Sequence, residues 1–277
     1  MKQTRILMGM PITVEIIGDR IDSQALEIAR VFEYFSYVDK TFSTYKDLSE
    51  VMKINRGELK LENASQDVQQ IFKLAEQTKG ETDGYFDIVN RKGIFDPSGI
   101  VKGWAIRNAV DILRRAGYVN FYVDAGGDIQ AHGSNREGKP WSVGIKNPFN
   151  QQEIVKVIYP GEKGVATSGT YIRGQHIYDP KDKSGEITDI VSLTVIGPDV
   201  YEADRFATAA FAMGKKGIEF IEKLPGFEGY MIDANALATM TTGFEVYTER
   251  PLGGAVFPTR AKRDEGKILR RQKGETN

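Results

Sequence analysis

The chain has 277 residues, of which 40% are hydrophobic and 27% charged, with a formal net charge of −1. That length builds a core without staples, the near-neutral charge points to neither nucleic acid nor an anionic membrane, and no apolar run is long enough to cross a bilayer. Cysteine is absent, which excludes disulfides, thiolate metal sites and a thiol nucleophile.

In chain order, Arg5 to Ile17 reads as a strand interrupted by Gly9 and Pro11, which implies a bulge or an edge position. No signal peptide or lipoprotein cleavage site is read at Met1-Lys2-Gln3, so the chain is expected to be intracellular or trimmed, and its compartment is left unassigned. Asp22 to Lys40 places Ala25, Ile28, Phe32 and Phe35 on one helical face. Asp47 to Asn55 predicts a short helix closed by Gly57, and Ser65 caps another that stops at Gly80. Asp83-Gly84-Tyr85-Phe86-Asp87 reads as a turn leading into an aromatic strand.

The next stretch, Asp96-Pro97-Ser98-Gly99-Ile100-Val101-Lys102-Gly103-Trp104-Ala105, is a turn feeding a helix. Its apolar face continues through Ala109, Ile112, Leu113 and Ala116 to Gly117. Exposed backbone N–H groups at such a start, with Lys102 one turn in, suit a phosphate, whereas Asp96 suits a metal or a polar ring edge. A strand at Phe121 to Ala125 is broken by Gly126-Gly127-Asp128, and His132 beside Gly133 reads as a solvated loop residue. Trp141 to Ile145 and Ile154 to Tyr159 form a hairpin around Asn147-Pro148, followed by strands at Gly164 to Ile172 and Ile190 to Ile196. Glu202 to Met213 and Ile218 to Leu224 are helices, and Tyr230 to Val246 is a closing hairpin that turns near Asn235. With no repeat or linker, one α+β domain is the economical reading, followed by a polar stretch from Arg260 to Asn277 that reads as a frayed tail.

No Gly-x-Gly and no Gly-Lys-Ser/Thr occurs, so Rossmann, kinase and P-loop cradles are excluded. On the helix that contains them, Asp204 and Thr208 share a face, and a carboxylate beside a hydroxyl suits magnesium. The alternative makes Asp204 a dipole-favoured acid and Thr208 a back-bonded hydroxyl. His176, in His176-Ile177-Tyr178-Asp179-Pro180, is either a general base oriented by Asp179 or a structural strand-end residue. Gly126-Gly127-Asp128 and Ala166-Thr167-Ser168-Gly169 offer acids, hydroxyls and bare backbone, or simply tight turns. Ser168 lacks the Gly-x-Ser-x-Gly elbow of a hydrolase nucleophile.

Taken in order, these pieces resemble the FAD:protein FMN transferases, the ApbE family. The family pattern appears here as Met8-Gly9-Met10, Ser43-Thr44-Tyr45, Asp83 to Asp87, Asp96 to Ala105 and Gly126-Gly127-Asp128. It continues with Trp141 to Ile145, Ala166 to Gly169, His176 to Pro180 and Ala203 to Thr208. The resemblance implies an α+β fold: a single ApbE-like, T-fold-related domain over residues 1–258, with a mixed, mainly antiparallel sheet and packed helices, then a polar tail over 259–277. It implies a magnesium-dependent enzyme that cleaves FAD at its pyrophosphate, attaches FMN through a phosphoester to a threonine of a target protein, and releases AMP. By the same resemblance Met8, Tyr45, Tyr85, Phe86, Asp87, Asp96, Lys102 and Ile187 would hold FAD. The carbonyl of Gly99, with Asp204 and Thr208, would hold Mg2+, and His176 would take the proton from the acceptor threonine.

Three positions depart from the pattern. Met10 stands where the family has threonine, the Lys181 to Ile187 segment is longer and lacks a proline, and Ala207 replaces a further acidic ligand of some members. The implied partner is a protein carrying a Ser/Thr-Gly-x-x-Thr type threonine; this chain contains no Ser/Thr-Gly-Ala-Ser/Thr-Thr acceptor of the kind the family modifies, so self-modification is not expected. A FAD pyrophosphatase of the same fold and a non-catalytic flavin carrier are the alternatives, and the Asp204, Thr208 and His176 set favours catalysis because a carrier needs no base.

Overall fold

The computed structural model describes residues 1–19, 21–90, 93–170, 177–181 and 186–249. The first stretch is two strands, not one interrupted strand: β1 (Lys2–Leu7) and β2 (Met10–Ile16) pair antiparallel, with Leu7 opposite Met10. Met8 and Gly9 both have positive φ, 53° and 72°, which is the backbone of a two-residue hairpin turn twisted to match its strands. Gly9 is therefore a turn residue rather than a bulge. Pro11 sits near the start of an inner strand, where it has a neighbour on each side.

Helix α1 (Ile21–Phe42) buries Ile28, Val31, Phe32, Phe35 and Val38, the spacing of one helical face. Helix α2 (Glu50–Asn55) begins where the Ser49 hydroxyl accepts from Met52 N, and α3 (Gln66–Glu81) where Ser65 Oγ accepts from Val68 N. Helix α3 runs through Gly80 to Glu81. The aromatic segment after it is not a strand; only an isolated bridge joins Val89 to Phe95. Its backbone is committed elsewhere: Phe86 N donates to Thr82 Oγ1, and Asp96 N to Ile88 O. Asn55 at the end of α2 clamps Phe95 by donating to its carbonyl and accepting from its N–H, at 2.9 and 2.8 Å.

Helix α4 (Ser98–Arg115) buries Ile100, Trp104, Ala105, Ala109 and Leu113, and ends at a left-handed Gly117. Strands β3 (Phe121–Ala125) and β4 (Asp128–His132) form a hairpin whose turn, Gly126-Gly127, has φ of 64° and 98°. His132 closes β4 instead of lying in a solvated loop. Its ring packs edge-on against Phe121 and its Nδ1 lies 2.6 Å from the Glu162 carboxylate.

A separate two-stranded hairpin follows, β5 (Val143–Asn147) with β6 (Asn150–Ile158). Then come β7 (Gly164–Gly169), β8 (Ile190–Gly197), α5 (Val200–Ala212), α6 (Gly217–Lys223), β9 (Glu228–Asp233) and β10 (Ala238–Met240). The last hairpin is shorter than its sequence pattern: β10 ends at Met240, and Phe244–Tyr247 form a 3-10 turn that buries Phe244 and Tyr247. The polar tail lies outside the described residues.

The eight-stranded sheet runs β1-β2-β3-β4-β7-β8-β9-β10, and every strand pairing among the described residues is antiparallel. This is an α+β fold with helices packed on a mainly antiparallel sheet. Helices α1, α3 and α4 share one core with β2 and β3, and α5 and α6 share a second with β8 and Met231 of β9. Alternation along β9 sends Tyr230 and Ile232 the other way, into a third cluster with Val143, Ile145 and Ile158 of the β5–β6 hairpin. Helices α4 and α5 pack against each other, which brings two sequence segments a hundred residues apart to one place.

Candidate functional site

The α4–α5 contact is close because α4 carries glycine where the helices touch. A Cβ on Gly103 would lie 2.7 Å from Asp204 Cβ and 2.8 Å from the Val200 carbonyl oxygen; one on Gly99 would lie 3.1 Å from Thr208 Cγ2 and 3.3 Å from the Phe86 ring. Without side chains at these two positions, the backbone of α4 reaches the side chains of α5. Gly103 N donates to Asp204 Oδ2 at 2.7 Å, and Thr208 Oγ1 donates to the Gly99 carbonyl at 3.4 Å. Asp199 caps α5 by accepting from Glu202 N, so the acidic and hydroxyl positions fall on the face toward α4.

Lys102 projects from the same side of α4. Its ammonium lies 2.7 Å from Asp128 Oδ2 and 3.5 Å from Asp204 Oδ1. Asp128, the first residue of β4, is 1% exposed, and its other oxygen accepts from Thr167 N of β7 at 3.0 Å. Two buried carboxylates thus share one ammonium. Burial, above all, pushes the Asp204 carboxyl up to about 7; the neighbouring Asp128 adds to the rise, while Lys102 and the Gly103 N–H act against it. Asp124, which accepts from Gly127 N at 2.9 Å, is also raised by burial, with Asp128 contributing.

These groups open into a cavity of about 810 Å³, a size that suits a large cofactor or substrate. One wall is Tyr85, Phe86, Asp87 and Asp96 beside the start of α4, and another is Thr167, Ser168 and Thr194 of β7 and β8. Thr167 and Thr194 hydroxyls are 2.9 Å apart across the strands. The rim includes Met10, the Gly126-Gly127 turn and Lys146 of the β5–β6 hairpin. Asp87 is fixed by Lys79, 2.7 Å away, and Tyr85 lies under the Lys181 ammonium, 4.2 Å from the ring centre.

Of the residues singled out from sequence, Tyr85, Phe86, Asp87, Asp96, Gly99, Lys102, Asp204 and Thr208 line this one cavity. Met8 sits in the turn beside Gly9 and Met10, which are lining residues while Met8 is not. Tyr45, 94% exposed, lies between α1 and α2, and Ile187, 7% exposed, packs into the α5–β8 core; neither lines the cavity. His176 lies outside the described residues.

Asp124 and Lys146 are cavity residues missing from the sequence-derived set, and Asp128, which the sequence offered as an acid with no assigned role, is the partner of Lys102 beside the cavity. For the two aspartates the signal was present, since they flank the paired glycines of a hairpin turn that aims both ends at one point. Nothing in the local sequence of Lys146 marks it. Among the described residues no three acidic or histidine side chains cluster as a metal site. A cation here would rely on one carboxylate, a hydroxyl and a carbonyl. That is an oxygen set of the kind Mg2+ accepts when phosphates and waters complete its shell, and two of its members, the Gly99 carbonyl and Thr208 Oγ1, lie 3.4 Å apart.

Comparison with known proteins identifies the family and the fold. A sequence model described as the ApbE family matches residues 8–94 and 89–231. A protein of Vibrio cholerae named FAD:protein FMN transferase is 35% identical over 130 residues, 44% of this chain and 39% of that one. Its namesake in Haemophilus influenzae is 34% identical over 139 residues, 46% of this chain and 40% of that one. The match therefore spans about two fifths of the length of these relatives. Among solved structures, the ApbE protein of Thermotoga maritima superposes with a TM-score of 0.78 at 21% identity, covering 90% of this chain and 99% of that one. The flavin transferase ApbE of Vibrio cholerae gives 0.77 at 23%, covering 89% and 98%.

Proposed function

This chain belongs to the ApbE family, and from that premise we propose that it is a magnesium-dependent FAD:protein FMN transferase. The observation that carries the reading is the meeting of Gly99, Lys102, Asp204 and Thr208 in one cavity with the Tyr85-Phe86-Asp87 wall. A dinucleotide needs an aromatic surface for its ring, polar groups for its edges and charge compensation for its diphosphate, and these three lie side by side here.

In this reading Tyr85 and Phe86 pack against FAD, Asp87 and Asp96 accept hydrogen bonds from its polar edges, and Lys102 faces the diphosphate. The Gly99 carbonyl, Asp204 and Thr208 would hold Mg2+, which supplies charge neutralisation as AMP departs. The Gly103 N–H holds Asp204 Oδ2, which leaves Oδ1, 3.5 Å from the Lys102 ammonium, as the oxygen available to a cation. The acceptor threonine oxygen bonds to the FMN phosphorus, the bond from that phosphorus to the AMP oxygen breaks, and the hydroxyl proton passes to a base. His176 is assigned as that base from the family motif.

The test combines purified protein, FAD, MgCl2 and an acceptor protein carrying a Ser/Thr-Gly-Ala-Ser/Thr-Thr segment. Expected are covalently fluorescent acceptor and AMP in equal amounts. Absence of labelled acceptor overturns the reading, and AMP formed at the same rate without acceptor replaces it with a FAD pyrophosphatase.

A further inference from the structure

We propose that Asp128 is a positioning residue that draws the Lys102 ammonium aside and so keeps Asp204 available to a divalent cation. The inference rests on the metal-site reading above and deepens it.

The geometry is asymmetric. Lys102 Nζ is 2.7 Å from Asp128 Oδ2 but 3.5 Å from Asp204 Oδ1, beyond a normal charge-assisted bond. Asp128 cannot turn away, because its Oδ1 accepts from Thr167 N and its strand begins directly after the Gly126-Gly127 turn. Asp204 is fixed as well, by the Gly103 N–H on Oδ2, which leaves Oδ1 as the oxygen facing the lysine. All three side chains are largely buried, so their mutual attraction is screened little.

Charge counting then gives the consequence. Above about pH 7, where Asp204 is ionised, two carboxylates and one ammonium leave a net single negative charge, which attracts a divalent cation. With Asp128 neutralised, Lys102 has Asp204 as its anionic partner in the pair. It closes onto Oδ1, and the local charge falls to zero. Removing Lys102 instead leaves two bare carboxylates. Removing both charges returns the site to one.

At pH 8 the experiment titrates the 277-residue protein with Mn2+, following free Mn2+ by electron paramagnetic resonance, and in parallel follows the Mg2+-dependent rise in melting temperature. Asp128→Asn, which keeps the side chain's volume and its acceptor for Thr167 N, is expected to weaken Mn2+ binding roughly 10–100-fold. Lys102→Met is expected to tighten it, and Asp128→Asn/Lys102→Met to return it to within about threefold of the parent protein by the charge count above. A purely structural role for Asp128 would lower the metal-free melting temperature and leave the double variant as weak as the single. That pattern overturns the proposal, as does unchanged Mn2+ affinity in Asp128→Asn. Should Asp128→Asn fail to fold, Lys102→Met decides alone, and affinity equal to or weaker than the parent's overturns it. Failure of the parent protein to bind Mn2+ or Mg2+ refutes the metal-site reading itself, and this inference with it.

Discussion

Gly103→Ala tests whether the α4–α5 contact holds the site together. The added methyl would sit 2.7 Å from Asp204 Cβ, 2.8 Å from the Val200 carbonyl oxygen and 3.0 Å from Tyr201 Cα. Two of these three are backbone atoms, so no flexible chain end can give way. Restoring ordinary contact distance requires the helices to part by about 1 Å. That movement would stretch the 2.7 Å bond from Gly103 N to the Asp204 carboxylate out of range. Overpacking costs about 1–3 kcal/mol and a lost bond to a charged acceptor about 1.5–3 kcal/mol, while alanine's better helix propensity returns about 1 kcal/mol. The net is roughly 2–5 kcal/mol of destabilisation, and for a chain of this size each kcal/mol moves Tm by roughly 2–4 °C. A thermal melt should therefore fall by roughly 4–20 °C, with FMN transfer lost even at temperatures where the variant is folded. Gly80→Ala is the control: that glycine is helical, and a Cβ there meets nothing within 4 Å. It should melt at or slightly above the parent temperature. A Gly103→Ala protein that melts with the parent and transfers FMN normally would refute the reasoning.

The Asp204 carboxyl is raised from its ordinary range by burial first and by Asp128 second. In the metal-free protein the native state therefore holds this proton over the window from about 4 to about 7 in which the unfolded chain has lost it. Stability in EDTA should fall as pH rises through that window and level off above it, and Asp204→Asn should flatten the slope; denaturant midpoints at pH 5, 6, 7 and 8 measure this. Mg2+ at pH 8 should raise the parent midpoint and leave that of Asp204→Asn unmoved. Buried Arg205 of α5 pairs with Glu202 at 2.6 Å and with Glu81 at the end of α3. Arg205→Met should cost about 1.5–3 kcal/mol in chemical denaturation, the worth of its lost charge-assisted bonds, because the Glu81 and Glu202 carboxylates it leaves are 38% and 26% exposed and rehydrate; Arg205→Lys should recover only part, since an ammonium lacks the fork that reaches both. Asp204→Ala should lower FMN transfer at least roughly 100-fold, with FAD still retained on a filter-binding assay, if the residue serves the metal rather than the flavin.

Much of the fold was legible because helix signals are local. Ser65 caps the helix that follows it and Gly117 ends α4, as their sequence positions imply, whereas the caps Ser49 and Asp199 emerge only from the structure. The errors share a cause: strand identity depends on a partner that sequence does not display. Arg5 to Ile17 alternates well enough for one strand, yet the left-handed pair Met8-Gly9 folds it into two. Tyr85-Phe86-Asp87 has the aromatic content of a strand, but Thr82 captures the Phe86 N–H and no neighbour arrives to form a ladder. His132 looked solvated because Phe121 and Glu162, which pack and pair with it, lie 11 and 30 residues away. The site shows the same division. Asp204 and Thr208 could be placed on one face by counting, whereas their approach to Gly99 and Lys102 is a tertiary fact. The ion pair of Lys102 with Asp128 joins a helix to a hairpin turn, and no spacing rule links them.

The pairing of Gly99 and Gly103 with Thr208 and Asp204 has a further consequence. Each pair is four residues apart on its helix, so two matching rows meet, and the groups that join the helices are the ones the proposed site would offer to a cation. Packing and chemistry here are one contact. A cation with its phosphate ligands would bridge the rows and stabilise the native state by mass action, about 2.7 kcal/mol at a hundred times its Kd. Conversely, a substitution that parts the rows loses binding even if every ligating side chain survives. Glycine at these positions is thus a requirement of the site as much as of the core, and it explains why the helix interior tolerates two residues that each cost it about 1 kcal/mol in propensity.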